Sequence, residues 1–574
     1  VAASSAETLT ALGAHGPEAF GRLGGHGWPK RLETIVDGIH AIEDGRTRAE
    51  ALSQVAFLYP LVRRMRADIV AMQNSRFWRL RDTWFALKER LGIGSADTTA
   101  DRADLLEIAE RHAARDERIT LLREGEVPAP TGDFVGGLDA RDALGSDALF
   151  EAALALNRDE TIDALYADFD TIDDRGYRSA PFFKPDWSPE TLLGRNLFAG
   201  FALLRGRLFE DVGGLREGTA GAYWYDAALR LTERTSRVAH IPRILHHRRR
   251  DAAAVARAAD AELTAARDAL LRRGANGDVF PLPDAGIPCR LVRYAPRGTP
   301  RVTIVVPTRD KPDLLDQCLL SIFERSTYGN FDVLVVDNGS GERATHDVFR
   351  RWLQREPTRI RIERDPSPFN FAALNNRAVR MTDSEYVVFL NNDTVVVTAE
   401  WIEAMLGYAQ LPHIGAVGAL LTYPDDTVQH AGVVLSILGL AGHAHRHVRA
   451  DSPGYYGALQ TVTNYSAVTG ACMMVERARF LDAGGFDEAF AVAWNDVDFC
   501  LRLVGKGYRN VYVPHARLYH FESKTRGGDD TPSKVARAMS ELFAMRERWP
   551  AYTQRDPHYS PWLTADAEDF GIRV

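Results

Sequence analysis

The segment Ser384-Glu-Tyr-Val-Val-Phe-Leu-Asn-Asn-Asp-Thr-Val-Val-Val397 interrupts an apolar run with three polar residues. Its first half, Tyr386 to Leu390, has the length and the β-branched and aromatic content of a buried strand. Asp393 is therefore expected at the carboxyl end of a core strand, the edge at which open α/β sheets bind ligands. A carboxylate there suits a hard divalent cation with bound phosphates. The structural alternative is an Asn-Asn-Asp turn that merely ends the strand.

Composition limits the class of protein. The chain has 574 residues, 26% of them charged, and a formal net charge of -8. This length allows roughly three or four domains, and the absence of a basic excess argues against nucleic acid as a partner. The four cysteines are widely spaced and form no Cys-x-x-Cys pair, so they are predicted to be reduced core thiols of a cytoplasmic protein. No run approaches the roughly 18 apolar residues of a membrane span.

Changes in pattern along the chain predict five regions. They are an N-terminal helical region (1–125), an α/β module (126–250), a helix and linker (251–300), a second α/β domain (301–530) and a C-terminal helical tail (531–574). Residues 76–90 interleave aromatic and basic side chains, which suits a helix lying on an anionic membrane surface. A basic helix packed on its own protein is the alternative. Peripheral contact with the inner face of the cytoplasmic membrane is therefore a hypothesis.

The second α/β domain begins as nucleotide-binding folds do. Val302 to Val306 is predicted to be a strand, a helix follows from Pro312, and a second buried strand ends at Asp337. A Rossmann-like sheet begins in this way, with a strand, a helix and a second strand, and with polar residues at the ends of the two strands. The chain has no GxGxxG or Walker motif, so neither a dinucleotide fold nor a P-loop ATPase is indicated.

An internal repeat indicates two copies of one module. Val212-Gly-Gly-Leu-Arg-Glu217 and Ala483-Gly-Gly-Phe-Asp-Glu488 each precede the same series of residues. The paired positions are Asp226 and Asp498, Arg230 and Arg502, Pro242 and Pro514, and His247 and His520. The first copy has Trp224 where the second has Asp496, so it lacks one carboxylate.

Carboxylates and histidines in the second copy are candidates for chemistry. Asp496 and Asp498 are two residues apart at the predicted start of a helix, so they cannot share a helix face. We assign Asp496 to a pocket as general base and Asp498 to a structural role, in which it caps the helix or pairs with Arg502 at i+4. His520 follows a strand and, with a carboxylate, would suit a manganese-type ion. In a separate segment, histidines occupy every second position, at His443, His445 and His447. They predict either a zinc site or a polar loop.

At this point the residues from Val302 to about Gly527 resemble family 2 glycosyltransferases of GT-A fold. The resemblance is to the bacterial branch that builds O-antigen, capsule and other surface polysaccharides, including rhamnosyl and galactofuranosyl transferases. The matching motifs are Val305-Val-Pro-Thr308, Val336-Asp-Asn-Gly-Ser340, Phe369-Asn-Phe-Ala-Ala-Leu-Asn-Asn376, Phe389-Leu-Asn-Asn-Asp-Thr394, Gln429-His-Ala-Gly432, Thr469-Gly-Ala-Cys472, Asn495-Asp-Val-Asp-Phe-Cys-Leu-Arg502 and His520-Phe-Glu-Ser523.

The resemblance implies a role for each matching position. Asp393 and His520 would hold Mn²⁺ or Mg²⁺, and Asp496 would be the catalytic base. The expected nucleotide-binding residues are Pro307, Thr308, Arg309, Asp337, Asn375, Asn376 and Asn392. The expected neighbours of the acceptor or diphosphate are His430, Gly470, Ala471, Trp494 and Asn495. This chain departs from the family with Asn495 before the base and with the less acidic Asn391-Asn392-Asp393.

The implied activity is inverting sugar transfer from a dTDP- or UDP-sugar to a glycan or lipid-linked acceptor. The first module also resembles the later half of such a domain, with Asp139-Ala-Arg-Asp142 where a metal motif would be. We interpret it as degenerate and inactive, because its nucleotide-binding half is not evident and Trp224 replaces the base. The alternatives are a sugar nucleotidyltransferase and a non-catalytic scaffold or glycan-binding protein.

Overall fold

The computed structural model describes residues 119–123, 132–139, 141–219, 221–249, 252–283, 285–521 and 532–573. The described residues divide between two compact units: residues 532–540 belong to one, and the other described residues belong to the second. The predicted N-terminal helices and the membrane-contact hypothesis for residues 76–90 lie outside the described residues. The predicted domain boundaries stay predictions.

The elements of the first sheet and the segment after it alternate between strands and short helices. They are β1 (Ile119–Arg123), β2 (Phe134–Leu138), β3 (Ala143–Leu144), α1 (Ala148–Arg158), β4 (Ala164–Ile172), β5 (Arg178–Phe182), α2 (Pro189–Gly194), β6 (Ala202–Arg205), α3 (Gly206–Asp211), α4 (Tyr223–Thr232), β7 (Val238–Arg248), α5 (Ala252–Arg272), β8 (Gly277–Leu282) and β9 (Cys289–Tyr294).

The second sheet and the C-terminal segment follow. Their elements are β10 (Val302–Thr308), α6 (Pro312–Arg325), β11 (Phe331–Asp337), α7 (Arg343–Arg355), β12 (Ile360–Arg364), α8 (Phe371–Arg380), β13 (Tyr386–Leu390), β14 (Thr394–Val396), α9 (Trp401–Ala409), β15 (Ile414–Thr422), β16 (Val428–His430), β17 (Val433–Leu435), β18 (Ala441–His443), β19 (Thr463–Tyr465), β20 (Cys472–Glu476), α10 (Arg477–Asp482), α11 (Asn495–Gly505), β21 (Arg509–His520), α12 (Pro532–Arg548) and α13 (Pro550–Gln554).

The second sheet has the predicted Rossmann-like beginning. Its strand order is β12-β11-β10-β13-β20-β15-β21-β14, and β12, β11, β10 and β13 run parallel. Tyr386 to Leu390 is fully buried, as the apolar run predicted. The carboxyl ends of β10, β11 and β13 therefore meet at one edge, where open α/β sheets bind ligands. The α/β class and the GT-A-type sheet expected from the sequence are confirmed, and all four cysteines are free and buried.

The first sheet repeats the second half of this arrangement. Its order is β1-β2-β6-β4-β7-β3, in which β4 pairs antiparallel with β6 and parallel with β7. In the second sheet β15 pairs antiparallel with β20 and parallel with β21. Arg230 and Arg502 each pair with the aspartate four residues earlier and with two carbonyl groups of the Gly-Gly loop. The internal repeat seen in the sequence is thus a repeat of structure.

Strand registers align the two sheets residue by residue. Three pairs of cross-strand neighbours in the first sheet have an equivalent pair in the second. Val135–Leu204 corresponds to Val387–Val475, Leu165–Leu203 to Val417–Met474, and Leu165–Ala239 to Val417–Val511. The same number of residues leads from Val135 in β2 to Arg141 and from Val387 in β13 to Asp393, so these two residues are equivalent. Counting along β7 and β21 places Arg248 at the position of His520. The sequence repeat paired His247 with His520, and the register corrects that pairing by one residue.

The first sheet differs from the second where nucleotide and base would lie. β1 pairs with β2 as β10 pairs with β13, but residues 124–133 stand in place of the segment that forms β11 and β12. Trp224 is packed inward over Gly137, where a Cβ atom would lie 1.8 Å from its indole nitrogen. The residue at the base position is therefore part of the core in this module.

A buried carboxylate joins the two sheets. Glu190 begins α2 and is hydrogen-bonded to the side chains of Asn464 and Arg509 and to His413. Burial on its own would raise the pKa of Glu190, but the hydrogen bonds from His413 and Arg509 outweigh burial and lower it. A lowered pKa in the folded state means that this carboxylate stabilises the fold above its ordinary pKa of 4.5.

We expect Glu190→Gln to lower the free energy of unfolding by about 3 kcal/mol at pH 7, because it leaves a buried ion pair broken. The loss should shrink as the pH falls below 4.5, since the wild-type carboxylate then becomes protonated during unfolding. Guanidinium chloride unfolding at several pH values measures the difference. Glu217→Gln, at an exposed position, is the matched control, and an equal loss at pH 7 in both variants would contradict the assignment.

Candidate active site

The carboxyl edge of the second sheet carries most of the predicted site residues. Thr308 ends β10 and lies opposite Asp337, which ends β11. The hydroxyl of Thr308 accepts a hydrogen bond of 2.8 Å from the side-chain amide of Asn392. Asp337 is 2% exposed and accepts a hydrogen bond from the backbone of Ser340. The structure therefore brings the ends of β10, β11 and β13 into one connected group.

The loop after β10 is held to the loop after β11. Asp310 accepts hydrogen bonds of 2.8 Å from the backbone amides of Gly341 and Glu342, while its own amide donates to the hydroxyl of Ser340. Asp310 and Lys311 both have positive φ angles, 54° and 56°. Such backbone conformations cost energy in residues with side chains and gather at functional sites. The same loop contains Pro307 and Arg309, which we expected to contact the nucleotide.

Asp393 and His520 converge at the far end of β13. Thr394 pairs with His520 across β14 and β21, which brings the imidazole Nε2 to 3.3 Å from the Asp393 carboxylate. Both side chains are 6% exposed. The other ring nitrogen, Nδ1, lies 3.2 Å from the side-chain oxygen of Gln429. The two predicted metal-binding residues are therefore adjacent, and Gln429 orients the imidazole.

Asp496 lies on the other side of β13. Its carboxylate accepts hydrogen bonds of 2.8 Å from the backbone amides of Gly470 and Val497. Burial raises the pKa of Asp496 despite these backbone hydrogen bonds. Ala471, next to Gly470, accepts a hydrogen bond from the backbone of Asn391. The Gly470–Ala471 strip thus connects the predicted base to the predicted metal-binding segment.

The helix that carries Asp496 is anchored by other residues. Asp498 is fully buried and pairs with Arg502 at 2.8 Å, as predicted. The same carboxylate also accepts hydrogen bonds from Arg548 and from the indole of Trp549. Trp494 precedes the helix with a φ of 68°, a strained conformation for a bulky residue. The C-terminal segment therefore helps to fix the turn from which Asp496 projects.

Glu541, in α12, binds the loop that precedes this helix. Its carboxylate accepts hydrogen bonds from the backbone amides of Val492 and Ala493, at 3.3 and 2.9 Å. Glu541 is 4% exposed. Two backbone amides that would otherwise lack partners are thereby satisfied.

Four other predicted residues are bonded to protein atoms. Asn375 donates to the carbonyl of Phe371, and Asn495 donates to loop carbonyls at 3.3 Å. Asn376 both donates to and accepts from the backbone of Phe486. His430 is fully buried, where burial and then the neighbouring histidines lower its pKa. Assigning Asn375 and Asn376 to the nucleotide, and Asn495 and His430 to the acceptor, stays a prediction.

The alternating histidines do not share a face. Only His443 lies in a strand, and its Nδ1 is 2.8 Å from that of His430. His445 stacks on Phe570, and His447 stacks on Tyr423. His445 and His447 both have positive φ angles, which breaks the alternation of a strand. The zinc alternative for this run is therefore wrong: among the described residues no group of three or more His, Cys, Asp or Glu could hold a metal.

Sequence reasoning missed Asp310, Gln429 and Glu541. Asp310 and Gln429 each lie within or directly beside a motif that was recognised, so their position in the sequence could have indicated that they belong to the site. Glu541 lies in α12, far along the chain from the loop that it binds, and no local pattern marks it. In the described part of the chain, no helix is both long and apolar enough to cross a bilayer.

Comparison with known proteins places the second sheet in a family. Residues 303–480 match the family model described as glycosyl transferase family 2. An uncharacterised protein of Sinorhizobium fredii is 37% identical over 83% of this chain and 54% of its own length. The O-antigen biosynthesis protein RfbC of Myxococcus xanthus is 38% identical over 84% of this chain and 38% of its own length. This chain thus spans about half or less of these two relatives.

More distant similarities cover about half of this chain or less. The N-acetylglucosaminyl-diphospho-decaprenol L-rhamnosyltransferase of Mycobacterium tuberculosis is 25% identical over 38% of this chain and 75% of its own length. Among solved structures, a mannosyltransferase from Pyrobaculum calidifontis in complex with GDP-Man and Mn²⁺ is 21% identical. It covers 51% of this chain and 75% of its own, with a TM-score of 0.34.

Proposed function

Residues 303–480 of this chain carry a family 2 glycosyltransferase domain, and we propose that the whole chain is an inverting glycosyltransferase of cell-surface polysaccharide synthesis. The donor is a dTDP- or UDP-sugar, and the acceptor is a hydroxyl group of a glycan or lipid-linked oligosaccharide. The names of the Myxococcus and Mycobacterium relatives, O-antigen biosynthesis protein and rhamnosyltransferase, support this class of product and a deoxyhexose donor.

One observation carries the proposal: backbone and side-chain contacts link all three parts of the predicted site. Thr308 contacts Asn392, which directly precedes Asp393, and Asp393 contacts His520. From Asn391 the chain of contacts continues through the Gly470–Ala471 strip to Asp496. This connected order along one sheet edge, from the proposed nucleotide residues through the proposed cation residues to the proposed base, supports the assignment to sugar transfer.

The residues present fit a divalent cation. Asp393 and His520 offer a carboxylate oxygen and an imidazole nitrogen 3.3 Å apart. The imidazole Nε2 also lies 3.3 Å from the side-chain amide of Asn391, while Nδ1 lies 3.2 Å from Gln429. A carboxylate oxygen and an imidazole suit Mn²⁺, and donor phosphates and water would supply the remaining ligands. When bound, such a cation stabilises the negative charge on the leaving diphosphate.

The protein's own residues account for the proton transfer. Asp496 takes the proton of the acceptor hydroxyl while that oxygen forms a bond to the anomeric carbon. The bond between the anomeric carbon and the diphosphate oxygen breaks on the opposite face, which inverts the configuration. The raised pKa of Asp496 makes it a stronger base than an exposed aspartate. The amides of Gly470 and Val497 hold the carboxylate in place.

The first module is proposed to be inactive in transfer. Trp224 occupies the base position and is packed over Gly137, so no carboxylate replaces Asp496 there. The described strands also lack counterparts of β11 and β12, which carry nucleotide-binding residues in the second sheet.

Calorimetric titration of UDP, dTDP and GDP into the purified chain, with and without Mn²⁺, tests the donor site. We expect one nucleotide to bind, and Mn²⁺ to tighten its binding at least tenfold, because Asp393 and His520 would hold the cation and its charge would offset that of the diphosphate. Magnesium should replace manganese with weaker effect. Failure of every nucleotide to bind under both conditions would overturn the proposal in favour of a non-catalytic scaffold.

A further inference from the structure

The first module carries two arginines where the second sheet carries its metal-binding residues. The strand registers place Arg141 at the position of Asp393 and Arg248 at the position of His520. The short strand β3 agrees with this alignment, because it pairs with β7 as β14 pairs with β21. We propose that Arg141 and Arg248 form a metal-independent binding site for a phosphate or diphosphate group.

The substitution reverses the charge of the site. Asp393 supplies a carboxylate beside His520, and this pair suits a cation rather than a diphosphate. Two guanidinium groups at the same positions carry two positive charges and can bind phosphate oxygens directly. Arginine is suited to this task, because its planar fork of N–H donors matches phosphate geometry and stays charged at any physiological pH.

Both guanidinium groups are partly exposed. Arg141 is 47% exposed and donates two hydrogen bonds to the Asp139 carboxylate, at 3.2 and 3.1 Å. Arg248 lies over the ring of Phe169 at 5.1 Å and forms no ion pair with any described residue. The two arginines both act on Asp139 and together lower its pKa, and an exposed ion pair such as that of Arg141 contributes little to stability.

Two further arginines lie near this edge, and both already form ion pairs with aspartates. Arg178 pairs with Asp170, which also accepts a hydrogen bond from His247. Arg249 pairs with Asp174. The anion site therefore rests on Arg141 and Arg248, because Asp170 and Asp174 offset the charges of Arg178 and Arg249.

The ligand is not a nucleotide, because the described part of this module lacks the strands that would hold a base and ribose. The ligand class that remains is a phosphate group without a nucleoside. Its sources are the diphosphate of a lipid-linked glycan, a phosphate-bearing glycan and free phosphate. The shared chemistry of these sources is a phosphate with freely accessible oxygens.

Titration of inorganic pyrophosphate into the full chain in the presence of EDTA tests the site. We expect binding that Arg141→Gln/Arg248→Gln weakens at least tenfold, since each lost charge-assisted pair contributes roughly tenfold. Arg350→Gln/Arg351→Gln, an exposed pair in the second sheet's domain, is the matched control and should bind as the wild type does. No metal-free binding, or equal binding by the Arg141/Arg248 double variant, would overturn the proposal.

Two further measurements separate this site from others. A short polyprenyl diphosphate that binds more tightly than pyrophosphate identifies a lipid-linked source, while equal affinity identifies a phosphate-bearing glycan or free phosphate. Arg309→Gln, which removes an exposed cation from the expected donor site, should leave metal-free pyrophosphate binding unchanged, so failure of the donor-site proposal and failure of this one are distinguishable. Loss of metal-free pyrophosphate binding in Arg309→Gln would place the anion in the second sheet instead and contradict this inference.

Discussion

Asp496→Asn is expected to lower the rate of sugar transfer by about 10²–10⁴-fold, the usual contribution of a general base. The amide has one acceptor oxygen, so it can keep the hydrogen bond from either Gly470 or Val497, which bond to different oxygens of the wild-type carboxylate. The side chain keeps its size, while the proton acceptor is lost. Initial rates with the donor identified by calorimetry measure the effect. Asp482→Asn, on the exposed end of α10, is the matched control and should transfer at the wild-type rate.

The pH dependence of the wild type checks the same residue. Asp496 must be ionised to accept a proton, and burial raises its pKa above 3.8. Activity should therefore rise with pH through an apparent pKa above 3.8 and level off once the carboxylate is ionised. The residual activity of Asp496→Asn should not show this rise with pH. If the variant still shows the rise, another group causes it.

Asp393→Ala is expected to abolish the effect of Mn²⁺ on nucleotide binding and to lower transfer by about 10³-fold. A cation at a leaving diphosphate contributes several kcal/mol to the transition state, and each 1.36 kcal/mol is tenfold in rate. His520→Ala should act in the same direction with a smaller effect, because it removes a neutral ligand. Calorimetry with and without Mn²⁺, together with initial rates, measures both.

Asp383→Ala is the matched control for this prediction, because Asp383 is 87% exposed and pairs only with Arg301 among the described residues. It should keep both metal-dependent binding and transfer. Retention of a full Mn²⁺ effect by Asp393→Ala would mean that the cation, if used, is held elsewhere.

The main strands of the second sheet were predictable from sequence because their signals are local. Tyr386 to Leu390 is a continuous apolar run bounded by polar residues, and such runs form buried strands wherever they occur. The ion pair of Asp498 with Arg502 is set by helical spacing alone. The sheet edge on which Asp393 lies follows from the parallel connection of strand, helix and strand.

Other features depend on contacts between distant segments. The sequence comparison paired His247 with His520 because both are histidines, whereas the strand register and the spacing from Pro242 and Pro514 both give Arg248 as the equivalent of His520. Glu541 reaches the loop before Asp496 only because α12 packs back on the domain. The histidines from His443 to His447 looked like a strand face by alternation, but the backbone turns at His445 and His447.

The central claim is that Asp496 performs the chemistry at a donor site assembled around Asp393. It is tested most directly by measuring nucleotide binding and sugar transfer on the same preparations of wild type and Asp496→Asn. We predict that the variant binds the donor nucleotide with Mn²⁺ as tightly as the wild type does and transfers sugar at least a hundredfold more slowly. Equal rates of transfer by the two proteins would contradict the account.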